Sequence, residues 1–327
     1  MPLDFNKNYK IIRDRELLKF LRARKSNPFL VTFALRKSAV HLVVVEPHDD
    51  AEPSLVISDE CAVENNDFAA AILQLAQQYS RYCRNHPRVA LVLGEGLYQS
   101  VALDRPNLPE EEIGSSLRYN LRDLIEYEPE DCIADYYEPP VQLPGQDKIT
   151  AIAARKSFLE QTLKAIHDIS DTVSAVFAEE QAIAEMFKEL PDPTVVVYQQ
   201  QLQAAMLQVY REGSLQVNRS VRSLEKMSEL SLEEVRMGGL QPLSVEIQRS
   251  ADYFERQLRQ RPVTGVVLAM ALVKHDDVLA KLHEDLGLDA SWATYPAWAQ
   301  ELGAGDYSDF AALGGALLTL KVTEDSE

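Results

Sequence analysis

The chain has 327 residues, 46% of them hydrophobic and 26% charged, and 51 acids against 33 lysines and arginines give a formal net charge of -18. That length holds two domains around a large buried core, and the acidic balance excludes nucleic acid as a main partner, because an acidic surface repels phosphates. Cys61, Cys83 and Cys132 stand far apart with no CxxC and no nearby histidine pair, which excludes a disulfide framework and a zinc site and fits a reducing cytoplasm.

The first 26 residues are basic on an acidic protein: Lys7, Lys10, Arg13, Arg15, Lys19, Arg22, Arg24 and Lys25 face only Asp4, Asp14 and Glu16. Asp14 is placed to cap a helix in which Leu17, Leu18 and Leu21, with Phe20 alongside, form an apolar stripe beneath the cations. Such a segment suits an anionic membrane surface or a partner groove, and equally a helix packed on its own domain with its lysines in water. No apolar run approaches the ~18 to 20 residues that span a bilayer, and no signal-peptide pattern opens the chain. It is expected neither to span nor to cross a membrane by itself.

After Ser26-Asn27-Pro28, Phe29 to Leu35 and Ala39 to Val45 read as two strands around Arg36-Lys37-Ser38, with Leu55 to Ile57 as a third. Phe68 to Tyr82 carries apolar residues at helical spacing, and Arg88 to Leu93 reads as a buried strand. Gly94-Glu95-Gly96 then predicts a hairpin turn into Leu97 to Leu103; no GK[ST] follows it, so a phosphate loop is not indicated.

In the stretch from Leu108 to Tyr137, Pro109 and the acids Glu110, Glu111 and Glu112 open a helix against the positive end of its dipole. Ile113, Leu117, Leu121, Leu124 and Ile125 recur on one face, and Ser115, Arg118, Arg122 and Asp123 fall on the other. Pro129 ends the helical region, and Cys132 to Tyr137 leaves the turn as a strand. A proline-bearing connection from Pro139 to Asp147 leads to a strand at Ile149 to Ala154 and a helix from Ser157 to Ile169, where Ser157 and Glu160 have capping-box spacing. Thr172 to Phe177 is a strand, and Glu179 to Leu190 a helix ended by Pro191-Asp192-Pro193, the expected domain boundary.

The second half repeats this grammar. Thr194 to Tyr198, Ala204 to Tyr210 and Leu215 to Val221 are strand-like, with Glu212-Gly213 as a hairpin turn. A helix from Ser244 to Arg259, a strand at Val263 to Met270, a helix from His275 to Leu286 and a short strand near Ser291 to Thr294 follow. Asp309 to Leu320, rich in alanine and glycine, is a helix able to pack very closely. Two similar mixed halves predict a duplicated α/β architecture.

Within this pattern, Leu108-Pro109, the three acids, Leu117-Arg118-Tyr119, the Pro129-Glu130-Asp131 turn and Asp135-Tyr136 together resemble the PilM family, cytoplasmic actin-like proteins of type IV pilus assembly. Ala153-Ala154-Arg155, Val266-Val267-Leu268 and Phe310-Ala311-Ala312-Leu313-Gly314 extend the resemblance, which runs from about Phe29 to Leu318. It implies an α/β, actin-like (ribonuclease-H-like) two-domain ATPase fold. The implied layout is a first domain over 27–190, with an inserted subdomain at about 106–150 and completion by the helix 308–320, and a second domain over 191–307. The cytoplasmic domain of a type II secretion L protein resembles the same family and is the neighbouring alternative.

Family members that bind ATP carry Asp-Ile-Gly, small hydroxyl residues and a lysine in the first loop, because glycine lets the backbone approach phosphates and the acid organises magnesium. The matching positions here run from Ala34 through Arg36, Lys37 and Ser38 to His41, so the acid is Ala34 and the glycine is Arg36. The second phosphate loop reads Tyr198-Gln199-Gln200-Gln201-Leu202-Gln203, with neither acid nor glycine, and the Gly-Gly pair of the adenosine pocket is Met270-Ala271. Hence no cofactor, metal or catalytic residue is expected, and the chain is expected not to be an enzyme; nucleotide binding without hydrolysis, through Arg36, Lys37 or Ser38, is the competing reading. Asp276-Asp277 beside His275 reads as a helix N-terminus. The implied partner is the short cytoplasmic N-terminal tail of a PilN-like inner-membrane protein, docked between the first domain and its insertion; the pilus assembly ATPase is a further implied partner. The candidate contacts are Arg118, Tyr119, Leu121, Arg122, Leu124 and Tyr127, and Lys7, Lys10, Arg13, Lys19, Arg22 and Lys25 are the candidate membrane-facing cations.

Overall fold

The computed structural model describes residues 27–49, 51–143, 145–190, 192–201, 203–303 and 305–324. The basic segment 1–26, with its candidate cations Lys7, Lys10, Arg13, Lys19, Arg22 and Lys25, lies outside them. The chain packs as two compact units. One runs through Glu138, Asp147–Ala182 and from Ala311 on; the other comprises Pro139–Gln146 and Ile183–Phe310.

The first unit begins with β1 (Leu30–Arg36), β2 (Ala39–His48) and β3 (Ala51–Ala62), an antiparallel meander in which Leu30 faces Val45 and Arg36 faces Ala39. The third strand is twelve residues long, well beyond the Leu55–Ile57 run that its apolar residues suggest. α1 (Phe68–Gln78) and the single turn α2 (Ser80–Cys83) lead to β4 (Arg88–Leu93), which pairs in parallel with β1. Later the chain returns as α4 (Lys156–His167), β8 (Val173–Ala178) and α5 (Glu179–Met186), and the sheet order is β3-β2-β1-β4-β8. Continuous apolar runs in β1, β2 and β4 are buried because both sheet faces are covered. On one face Phe33, Leu35, Leu42 and Leu91 pack with Ile72 and Leu75 of α1 and Leu159 and Ile166 of α4.

Between β4 and α4 lies the insertion, a three-stranded antiparallel sheet ordered β5-β7-β6, from β5 (Tyr98–Asp104), β6 (Cys132–Tyr137) and β7 (Lys148–Arg155), with α3 (Glu110–Asn120) packed on it. Its core is Ile113, Leu117, Leu121, Tyr127, Cys132, Ile149, Ala151 and Ala153. The inserted sheet takes β5 as well, so it begins at Tyr98. Gly94–Gly96 is accordingly no hairpin turn: β4 belongs to the five-stranded sheet and β5 to the inserted one. The chain is turned out at Gly94, whose N–H donates to Leu35 O (2.8 Å) and where a Cβ would stand 2.4 Å from that oxygen.

The second unit repeats the arrangement. β9 (Thr194–Gln199), β10 (Ala205–Arg211) and β11 (Ser214–Val221) form the meander, the short turn α6 (Leu232–Glu234) precedes α7 (Gln241–Asp252), and β12 (Gly265–Met270), α8 (Asp276–Leu286) and β13 (Asp289–Trp292) follow. The order β11-β10-β9-β12-β13 is that of the first sheet, with the same parallel and antiparallel pairings. Asp276 opens α8, capped by the His275 ring, which accepts from the Asp277 N–H. The last helix, α9 (Phe310–Glu324), carries the small residues that the sequence marks for close packing: a Cβ on Gly314 would lie 1.9 Å from Ala182 O, and one on Gly315 2.4 Å from Val92 Cγ2. Among the described residues, no helix is long and apolar enough to cross a membrane.

Candidate functional site

Of the positions that the resemblance assigns to nucleotide loops, Arg36, His41, Gln199, Gln200 and Ala271 are bonded within the chain, and Lys37, Ser38 and Gln201 are exposed. In the first unit the β1–β2 connection is a two-residue turn, Lys37-Ser38, with Ala34 buried behind it. Arg36 and His41, both buried, converge on half-exposed Glu60 of β3: Arg36 forms an ion pair with it, and His41 Nδ1 lies 3.6 Å from its Oε2 while Nε2 meets Ser58 Oγ at 2.8 Å. The His41 ring, with the Arg36 guanidinium beside it, holds the Glu60 carboxyl down to about 2. A charge cluster of this kind engages the arginine within the sheet instead of presenting it to a phosphate.

In the second unit Gln199 is fully buried, and its Nε2 donates to Gln203 O (2.9 Å) and Leu224 O (2.6 Å). Gln200 Nε2 donates to Tyr307 O (2.9 Å), and the Ala271 N–H donates to Gln199 O (3.3 Å), so the second and third loop positions are bonded to each other. Tyr198 and Met270 are buried and Gln201 is exposed. Beyond Ala271, Lys274 Nζ sits 4.2 Å over the Tyr307 ring and donates to Gly305 O (2.9 Å), and burial lowers its pKa. Among the described residues no group of three or more His, Cys, Asp or Glu side chains is arranged to hold a metal ion.

The first unit does offer a recess of about 500 Å³. Lys37 comes from the β1–β2 turn, Phe68 from the start of α1, Leu97 from the crossing into the insertion, and Ser157, Phe158 and Gln161 from the first turns of α4. Phe68 and Phe158 meet edge to face, with centroids 5.4 Å apart, making an apolar wall with polar groups around it. The insertion braces this wall. Asp131 accepts from the Ser157 N–H (2.8 Å) and hydroxyl (3.1 Å), which hold its carboxyl below the usual range. That contact also corrects the capping-box expectation: Ser157 is already committed to Asp131, α4 starts at Lys156, and its N-cap residue, Arg155, makes no side-chain capping bond.

Of the six candidate partner residues, Tyr119 and Leu124 are 59% and 55% exposed, and Arg118 and Arg122 are exposed with them. Arg118 stacks 4.9 Å from the Tyr119 ring centroid. Leu121, at 0% exposure, and Tyr127, whose hydroxyl donates to Ala153 O (2.5 Å), are core residues of the insertion. The helix also ends at Asn120, short of Leu124 and Ile125, so those two residues stand on turns. Apart from Lys37, the lining of the recess has no local sequence signal; Phe68, Leu97 and Phe158 meet only because the insertion leaves the main sheet at Gly94 and returns at α4.

No protein-family model matches the chain, and no curated protein matches it. Among solved structures it is similar to a PilM–PilN type IV pilus biogenesis complex, at a TM-score of 0.63 and 18% identity over 89% of this chain and 98% of that one. The cytoplasmic domain of EpsL, an inner-membrane component of the type II secretion system of Vibrio cholerae, is similar at a TM-score of 0.51 and 11% identity, covering 91% of this chain and 96% of that one. A Bacteroides thetaiotaomicron protein with an actin-like ATPase fold and unknown function matches at a TM-score of 0.50 and 13% identity, over 81% of this chain and 91% of that one. At these identities the likeness shows the fold, and the fold is the two-domain actin-like one.

Proposed function

We propose that this chain is a PilM-like scaffold of a type IV pilus assembly platform, most like the MSHA pilus biogenesis protein MshI. In this reading it works at the inner face of the inner membrane, holds the short cytoplasmic N-terminal tail of a PilN-like membrane protein, and does not hydrolyse ATP. The observation that carries the reading is the pairing of Arg36, Gln199 and Gln200, each bonded within the chain at the loop positions, with an open, mixed recess beside the insertion. A short tail buries little area, so its affinity comes from a few apolar anchors in a preformed groove. Leu97 and Phe158 supply the accessible apolar wall, with Phe68 buried behind Phe158, and Lys37 and Gln161 supply donors for backbone carbonyls or an acid on the peptide. Arg118, Tyr119, Arg122 and Leu124 form a second exposed contact face on the insertion.

Isothermal titration of the full chain with a synthetic peptide of the PilN-like tail from the same organism tests the assignment. Phe158→Ala should weaken binding by about 2 kcal/mol, roughly thirtyfold, as loss of a central anchor does. Arg122→Glu and Tyr119→Ala should weaken it less, with the melting temperature nearly unchanged. Normal binding by the Phe158 variant would move the groove elsewhere. Titration with ATP and magnesium should give no binding heat; micromolar binding with phosphate release would overturn the scaffold reading.

A further inference from the structure

The crossing from β4 into the insertion forms one wall of the recess through Gly96 and Leu97. It is tied down at three successive points. The Gly94 N–H donates to Leu35 O of β1 (2.8 Å), the Glu95 N–H donates to Glu179 Oε2 (3.0 Å), and the Tyr98 hydroxyl donates to Glu180 Oε2 (3.3 Å). Glu180 gathers two more donors from the insertion: Ser100 Oγ of β5 at 3.2 Å and the Tyr137 hydroxyl of β6 at 2.8 Å, both to Oε1. Glu179 and Glu180 are 2% and 1% exposed and open α5 directly after β8 of the five-stranded sheet.

Placing two adjacent carboxylates in a buried position is expensive, and hydrophobic packing would hold a static junction at lower cost. A carboxylate that collects hydroxyls from two strands of another sheet does something packing does not: it fixes an angle, because each bond is directional. We infer that Glu179 and Glu180 are positioning residues that set the opening of the recess by latching the insertion to the start of α5. The inference rests on the recess being the peptide site. Neither carboxylate lines the recess, so their effect on a bound peptide runs through the Gly96–Leu97 wall. Burial raises the Glu180 pKa, with the three hydroxyls opposing it.

Tyr137→Phe removes one latch bond and nothing from the recess lining, and Glu180→Ala removes three; Glu180→Gln keeps an acceptor for the hydroxyls. Two readouts are taken on the full chain: affinity for the PilN-like tail peptide, and hydrogen exchange of the amides from Glu95 to Ser100. Tyr137→Phe and Glu180→Ala should each weaken the peptide by about fivefold or more and speed exchange across that crossing, with the melting temperature of Tyr137→Phe within a few degrees of the parent. Glu180→Gln should restore most of both. If Glu180→Ala does not fold, Tyr137→Phe against Glu180→Gln decides. Unchanged exchange and unchanged affinity in Tyr137→Phe would overturn the latch. Faster exchange in a chain whose parent form never binds the peptide would keep the latch and sink the peptide assignment instead.

Discussion

Arg36 stands where the resemblance calls for a glycine and His41 closes the matching stretch, and Glu60, far along the chain on β3, answers both. Glu60→Ala should therefore cost somewhat more than an ordinary surface change, about 0.5–1.5 kcal/mol by urea unfolding at pH 7, because it removes a half-exposed, solvent-screened carboxylate from the His41 ring and the buried Arg36 guanidinium. The pH dependence follows from the depressed carboxyl. Its contribution is complete above the ordinary value of 4.5 and fades as pH falls toward about 2, so the variant and the parent should converge along that acid limb. A constant difference between them down to pH 2 would show that the contacts of the Glu60 carboxylate with His41 and Arg36 add nothing. Ala34 and Arg36 are legible in the sequence as departures from the acid and glycine that the resemblance implies. Glu60 is not, because a partner across a sheet is fixed by register: His41 pairs opposite Glu60 only once β2 and β3 are aligned.

At the scale of elements, α3 and its following turns separate residues that share one apolar periodicity. Leu121 lies in the insertion's core and Leu124 faces water. Leu121→Ala should lower stability by about 2–5 kcal/mol and Leu124→Ala by no more than about 0.5, measured by denaturant unfolding. Equal losses would put Leu124 in the core. The sequence shows the strands well: β4 and β6 lie where their apolar and aromatic runs end, at Arg88–Leu93 and Cys132–Tyr137. It overextends the helix because the turns after Asn120 keep nearly helical spacing, with Leu124 and Ile125 N–H groups both donating to Leu121 O. Periodicity cannot register that the backbone has left the helix. Close approach, by contrast, is readable from composition, and the glycines of α9 bear it out. Gly314→Ala would put a methyl group 1.9 Å from Ala182 O, and differential scanning calorimetry should record a loss of about 1–3 kcal/mol. An unchanged melting temperature would mean that α9 shifts without cost.

For the whole molecule, the duplicated sheet order is the feature that sequence grammar anticipates, since each half repeats a meander followed by alternating helices and strands. The resemblance implies a groove between the first domain and its insertion, but the residues that line the recess are not anticipated, because they depend on where the insertion leaves and rejoins the main sheet. Charge adds a separate expectation. Eight cations against three acids in the first 25 residues stand on a chain of net charge -18, and each lysine or arginine near an anionic bilayer contributes on the order of 1 kcal/mol. Co-sedimentation with vesicles should require anionic lipid, fall with added salt and disappear when residues 1–25 are removed. Binding that survives the deletion would assign membrane contact to another part of the chain.

The return of α9 to the first unit has a consequence for how the chain is made. Residues through Ala182 leave the ribosome early, yet this unit resumes only at Ala311, after the whole of the second unit has been translated. At about 5–20 residues per second, the intervening stretch takes on the order of ten seconds to synthesise. During that interval the sheet surface around Thr32 and Val92, which Gly315 covers in the finished protein, lacks α9. The part of the chain that is synthesised first is therefore completed last, and its apolar sheet is the surface that a nascent-chain chaperone would find uncovered.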